Sequence, residues 1–97
     1  MIKVFNEENF ENEVLNSDKT TIVDFYADWC GPCRMLGPIL EELEGIDILK
    51  VNVDTFHEIS NKYGVMSIPT LILFNNGQEV SKSIGLRSKE EIEKMLK

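Results

Sequence analysis

Two hydrophobic periods run through this chain, and the places where one gives way to the other mark its elements. Residues 2–4 (IKV) are a short apolar run that suits an edge strand, and Asn6 suits the N-cap of a helix whose first turn carries Glu7 and Glu8. Phe5 and Phe10 then occupy the two positions of a hydrophobic staple. Phe10, Val14 and Leu15 give that helix one apolar face, and residues 16–19 (NSDK) read as the loop that ends it. Residues 22–27 (IVDFYA) are β-branched, aromatic and almost continuously apolar, the pattern of a strand buried on both faces, with Asp24 as the anomaly.

Leu36, Ile39, Leu40 and Leu43 return to the spacing of an amphipathic helix, with Pro38 inside it as a kink and Gly45 as its C-terminal cap. Residues 48–53 (ILKVNV) are a second apolar strand with Lys50 in its middle. Thr55 to Glu58 has the spacing of a capping box, opening a helix that ends near Tyr63 and Gly64. Residues 70–74 and 79–84 flank NNGQ, a strong hairpin signal. Ser88 to Glu91 is another capping box, before a terminal helix with Ile92, Met95 and Leu96 turned inward. Parallel strands need helical crossovers, so the order β-α-β-α-β, helix, hairpin, helix predicts an α/β fold: a central mixed β-sheet flanked by helices on both faces.

At 97 residues the chain is expected to be a single domain spanning residues 1–97. Its 17 acidic and 10 basic residues leave a net charge of −7, which repels a phosphate backbone and argues against nucleic acid. The first residues lack the apolar stretch of a signal peptide, and no run is long enough to cross a bilayer. The expectation is a cytoplasmic protein without membrane contact. In that compartment structural disulfides are rare, so two cysteines in close register are expected to react or to ligate.

Those two are Cys30 and Cys33, in WCGPC at residues 29–33. Zinc needs further ligands, and the sequence adds one histidine, His57, and no further cysteine, leaving only a site completed by carboxylates. Inert burial of both thiols is the second alternative. The third is dithiol–disulfide exchange, and placement favours it. A helix starting at Cys30 or Gly31, with Pro32 in its first turn, puts the cysteines at i and i+3 on one face, within reach of each other. The positive end of that helix favours a thiolate on Cys30, the outer residue, which makes Cys30 the nucleophile and Cys33 the resolving thiol. Gly31 and Pro32, between the sulfurs, are expected to tune how readily the disulfide forms. Asp24, if buried, carries a raised pKa and can exchange a proton near neutral pH; a strand-end aspartate facing solvent is the alternative. Lys50 either sits across from it or snorkels from an edge. His57 and the Glu41, Glu42, Glu44 cluster are expected to be solvated.

WCGPC resembles the active-site motif of the thioredoxin family. The likeness extends over nearly the whole chain, through Asp24 in VDF, Pro38, the run KVNVD at residues 50–54, YGV at 63–65, IPT at 68–70, FNNG at 74–77 and Gly85. The resemblance implies a thioredoxin-like fold and a general protein disulfide reductase that needs no bound cofactor or metal. It implies a monomer recharged by a flavin- or ferredoxin-linked thioredoxin reductase and acting on disulfide-containing client proteins. It assigns Asp24 to the deprotonation of Cys33, pairs Lys50 with Asp24, and makes the Ile68–Pro69 bond cis. It also places Trp29, Ile68, Pro69 and Gly85 in a shallow apolar docking surface, Gly85 having a strand-end scaffold role as its alternative. Three positions depart from the family pattern: the short connection from Leu43 to Ile48, Arg34 where lysine is common, and Tyr26 where tryptophan or phenylalanine is common. A disulfide-forming oxidant and a non-catalytic metal-binding or scaffolding module are the rival functions for the same architecture.

Overall fold

The computed structural model describes residues 2–97. Five strands form one mixed sheet in the order β1-β3-β2-β4-β5, with β1 at Ile2–Val4, β2 at Thr20–Tyr26, β3 at Asp47–Asn52, β4 at Thr70–Asn75 and β5 at Gln78–Ile84. β1, β3 and β2 are parallel; β4 is antiparallel to β2, and β5 to β4. The expected strands are all present, each displaced by at most two residues at an end.

Side chains on β2 and β3 alternate between two helical layers, which is why β2 reads as almost continuously apolar and β3 as mostly so. Val23, Phe25, Leu49, Val51, Ile72 and Phe74 face the first layer, where they pack with Phe5, Phe10 and Val14. That layer contains α1, Glu7–Phe10, which continues as a π-helical segment at Glu11–Leu15, and α3, His57–Lys62. Ile22, Ile48, Leu71 and Leu73 face the second layer, where Leu36 and Leu40 of α2 (Gly31–Glu41) and Ile92 of α4 (Lys89–Met95) cover them.

The first helix starts as its sequence predicts. Asn6 and Asn9 exchange side-chain to backbone hydrogen bonds of 2.8 and 2.9 Å, and the Phe5 and Phe10 rings meet edge to face with centroids 5.8 Å apart. Widening to π geometry brings Phe10, Val14 and Leu15 over one stripe of the core. Ser88 forms the full capping box with Glu91 at the start of α4.

Two predicted helix ends are corrected. Gly45 does not cap α2: the helix stops at Glu41, its last turn tightened by bonds from Glu42 N–H to the Ile39 carbonyl and Leu43 N–H to the Leu40 carbonyl. Gly45, with φ +71°, serves the turn into β3 instead. Thr55 does not cap α3, because Thr55 and Phe56 both donate backbone N–H groups to the Asn52 carbonyl, in a turn that makes Phe56 the N-cap with no side-chain bond.

The hairpin turn places Asn76 and Gly77 at φ +53° and +76°, the left-handed pair that favours Asn-Gly. Gly77 has a second constraint, since a Cβ there would run into the carbonyl oxygen of Leu15. Gly77→Ala is expected to lower stability by about 2–4 kcal/mol, combining left-handed strain and overlap. Gly45→Ala, with comparable φ but open space around it, should lose only about 1–2 kcal/mol. Urea unfolding of the two variants checks this; equal losses would mean that contact with Leu15 contributes nothing.

Candidate active site

Strands β2, β3 and β5 run in one direction and all end at the edge of the sheet where β4, which runs against them, begins. Topology therefore gathers four segments far apart in sequence: residues 27–33 after β2, residues 52–54 after β3, residues 68–70 before β4, and Gly85 after β5. A backbone bond from Gly85 N–H to the Pro69 carbonyl, 2.8 Å, ties the last two together.

Cys30 is the N-cap of α2, in extended conformation at φ −85°, and Gly31 and Pro32 form the first helical positions. Proline fits there because its missing N–H would have had no partner inside the helix. The Cys33 N–H donates to Cys30 Sγ at 3.2 Å, so the sulfur fills the role that a serine or aspartate oxygen has in an ordinary cap. Cys30 and Cys33 are joined as a disulfide, with Cα atoms 5.2 Å apart. The expected contrast in exposure is absent: both cysteines are only 5% exposed, because Ala27, Val53, Ile68 and Tyr26 pack around them. What distinguishes the two sulfurs is the helix terminus, which acts on Cys30.

Cys30 Sγ also lies 3.9 Å from the Ile68 carbonyl oxygen, and the Ile68–Pro69 bond is cis, as the resemblance implied. Pro69 itself is buried, so the apolar surface around the disulfide comes mainly from Trp29, 71% exposed, and half-buried Ile68. Ile84, beside Gly85, is a further exposed apolar side chain that the sequence reading did not single out. Gly85 has φ +92°, and a Cβ there would meet only the end of the Arg87 side chain, at 3.9 Å.

Asp24 stands on the α2 face of the central strand, only 1% exposed, and its Oδ1 accepts no hydrogen bond. Burial pushes its pKa from 3.8 up to about 6, and the Lys50 charge opposes part of that rise. Lys50 is Asp24's register partner on β3, the cross-strand placement anticipated for it. Tyr26, two residues further along β2, packs against Cys30 and Cys33 at the start of α2. Trp29 Nε1–H donates to Asp54 Oδ2 at 2.8 Å. The sequence reading gave Asp54 no role: its position after β3 was visible in KVNVD, but nothing local to that run specifies an indole partner.

His57 and Glu41, Glu42 and Glu44 are exposed. Among the described residues no group of three His, Cys, Asp or Glu side chains is placed to hold a metal ion, and no helix is long and apolar enough to cross a membrane.

A vicinal cysteine pair closing on the first turn of a helix, at the strand ends of a mixed sheet layered by helices on both faces, defines a thiol–disulfide oxidoreductase of thioredoxin-like fold. The family model described as Thioredoxin matches residues 1–97. A thioredoxin of Rickettsia bellii is 46% identical over 91 residues, covering 89% of this chain and 87% of its own length. One of Chlamydia trachomatis is 43% identical, covering 99% and 96%, and thioredoxin 2 of Chlorobaculum tepidum is 45% identical, covering 93% and 87%. The chain belongs to the thioredoxin family.

The raised pKa of Asp24 makes a signed prediction about stability. A carboxyl that ionises at about 6 folded and near 4 unfolded favours the fold in its protonated form, and that contribution is lost as pH rises through 6. Asp24→Asn, which cannot ionise, is therefore expected to be more stable than the parent by up to about 3 kcal/mol at pH 8. The gain should shrink as pH falls through 6 and vanish near pH 4. Denaturant unfolding at several pH values checks it, and a gain independent of pH would show that Asp24 bears no such penalty.

Proposed function

We propose that this protein is a general protein disulfide reductase in which Cys30 attacks and Cys33 resolves. The observation that carries the reading is the Cys30 sulfur at the N-cap of α2, receiving the Cys33 N–H. A negative sulfur there gains from the helix terminus, so Cys30 is the more acidic thiol of the reduced pair.

The Cys30 thiolate attacks one sulfur of a client disulfide, forming a Cys30–client bond as the client's S–S bond breaks and its other sulfur leaves as a thiolate that takes a proton. Cys33 then loses its proton to Asp24 and attacks Cys30 Sγ, closing the Cys30–Cys33 disulfide and releasing the second client thiol. Two electrons pass from the protein's dithiol to the client. A carboxyl with a pKa of about 6 is ionised and ready to accept that proton at neutral pH. Lys50 keeps the value from rising further, and Gly31 and Pro32 set the spacing and helix start that govern how readily the disulfide forms.

Docking uses the apolar patch of Trp29 and Ile68, with Pro69 and Gly85 fixing the backbone beside it. An extended client segment lies along the Ile68 backbone, where the following proline presents no N–H. In this reading the chain is one domain acting as a cytoplasmic monomer. The dithiol is restored by a thioredoxin reductase, flavin- or ferredoxin-linked.

Trapping in cell extract tests the division of labour. Cys33→Ser should accumulate mixed disulfides on Cys30, visible as reducible high-mass bands, while Cys30→Ser should accumulate none. Equal trapping by both variants would refute the assignment. Equilibration with glutathione checks the direction of flow: the pair should come out on the reducing side, and a strongly oxidising value would make the protein a disulfide donor.

A further inference from the structure

Three side chains on the α2 face of the sheet form a group that the exchange chemistry uses only in part. Asp24 and Tyr26 are two residues apart on β2 and share that face, and Lys50 stands across from Asp24 on β3. The Lys50 ammonium lies 4.5 Å from the centroid of the Tyr26 ring, within the range of a cation–π contact. Asn52 is the register partner of Tyr26 on β3; its Oδ1 accepts the Asp54 N–H at 2.9 Å, and Asp54 in turn accepts from the Trp29 indole. The half-buried tyrosine meets a lysine with its face.

Lysine is a flexible, strongly hydrated point charge, and Lys50 is only half-buried. Without a surface to hold it, its ammonium would extend into water, where its field at Asp24 is weakened by distance and dielectric. The charged and titratable groups that act on Asp24 come from few elements: Lys50 on β3 and Tyr26 on its own strand. β4 faces it with Leu71. Asp28, in the loop after β2, acts on Tyr26.

We propose that Tyr26 is a positioning residue: its ring holds the Lys50 ammonium beside Asp24 and so sets the strength of the field that lysine applies to the carboxyl. The effect on turnover rests on Asp24 being the proton acceptor for Cys33, but the effect on Asp24 itself does not. With the ring removed, Asp24 holds its proton to higher pH, and resolution by Cys33 slows at neutral pH more than at alkaline pH.

The test is the titration of the Asp24 carboxyl, followed by carbon NMR in the oxidised protein, where neither cysteine titrates. Tyr26→Leu is expected to raise its midpoint by about half a unit or more. Tyr26→Phe, which keeps the ring, should leave the midpoint near that of the parent. Lys50→Met should raise it at least as far as Tyr26→Leu, and adding Tyr26→Leu to Lys50→Met should change nothing further. An unmoved or lowered midpoint in Tyr26→Leu overturns the proposal, as does the same rise with and without Lys50, which would assign the effect to altered burial. Disulfide reduction by the same variants separates the two ideas. If the midpoint rises while the pH profile of turnover stays put, Tyr26 positions Lys50 as proposed and Asp24 is not the base.

Discussion

The first turn of a helix has backbone N–H groups with no partners in the helix, and something must meet them. In α2 that something is the sulfur of Cys30, which accepts the Cys33 N–H. Cap and reactive group are the same atom. The geometry that starts the helix therefore also sets the chemistry, since the arrangement that satisfies a donor favours negative charge on that sulfur. The helix must in turn be held at the sheet edge, and Leu36 and Leu40 achieve this by packing on Ile22, Leu71 and Leu73. A poorly seated helix would move the cap away from the Ile68 carbonyl and the rest of the site.

Placing a carboxylate in the central strand opposes this economy of apolar contacts. β2 is paired on both edges and covered on both faces, so Asp24 has little water to solvate its charge. The fold keeps it with an unbonded oxygen and one facing cation, an arrangement that reduces stability at neutral pH and leaves the group poised between its two protonation states.

Most of the architecture was legible because each element's pattern agrees with its neighbours. β2 reads as a doubly buried strand and is one, Asn76 and Gly77 announced their turn, and Ser88 with Glu91 announced a helix start. The misreadings share a cause: a local signal met a competing backbone bond. Thr55 has a capping pattern, but the Asn52 carbonyl had already claimed the neighbouring N–H groups; Gly45 looks like a helix end, but the helix closed earlier through tight turns at Glu42 and Leu43. In the site, the cysteines and Asp24 stood out because their residue types were incongruous where they fell. Asp54 did not, since an aspartate in a surface turn is ordinary until the fold brings Trp29 to it. The equal burial of Cys30 and Cys33 was hidden for a similar reason: their cover comes from Val53 and Ile68, on other segments.

The Trp29–Asp54 bond has a bearing on selectivity. An indole usually offers a neighbour both a broad ring and one directional donor, but here the donor is occupied from within the molecule. What Trp29 presents outward is ring carbon, which rewards contact area without favouring any polar pattern. Such a surface is suited to promiscuity, accepting dissimilar polypeptides by shape and greasiness while leaving discrimination to the sulfur they carry.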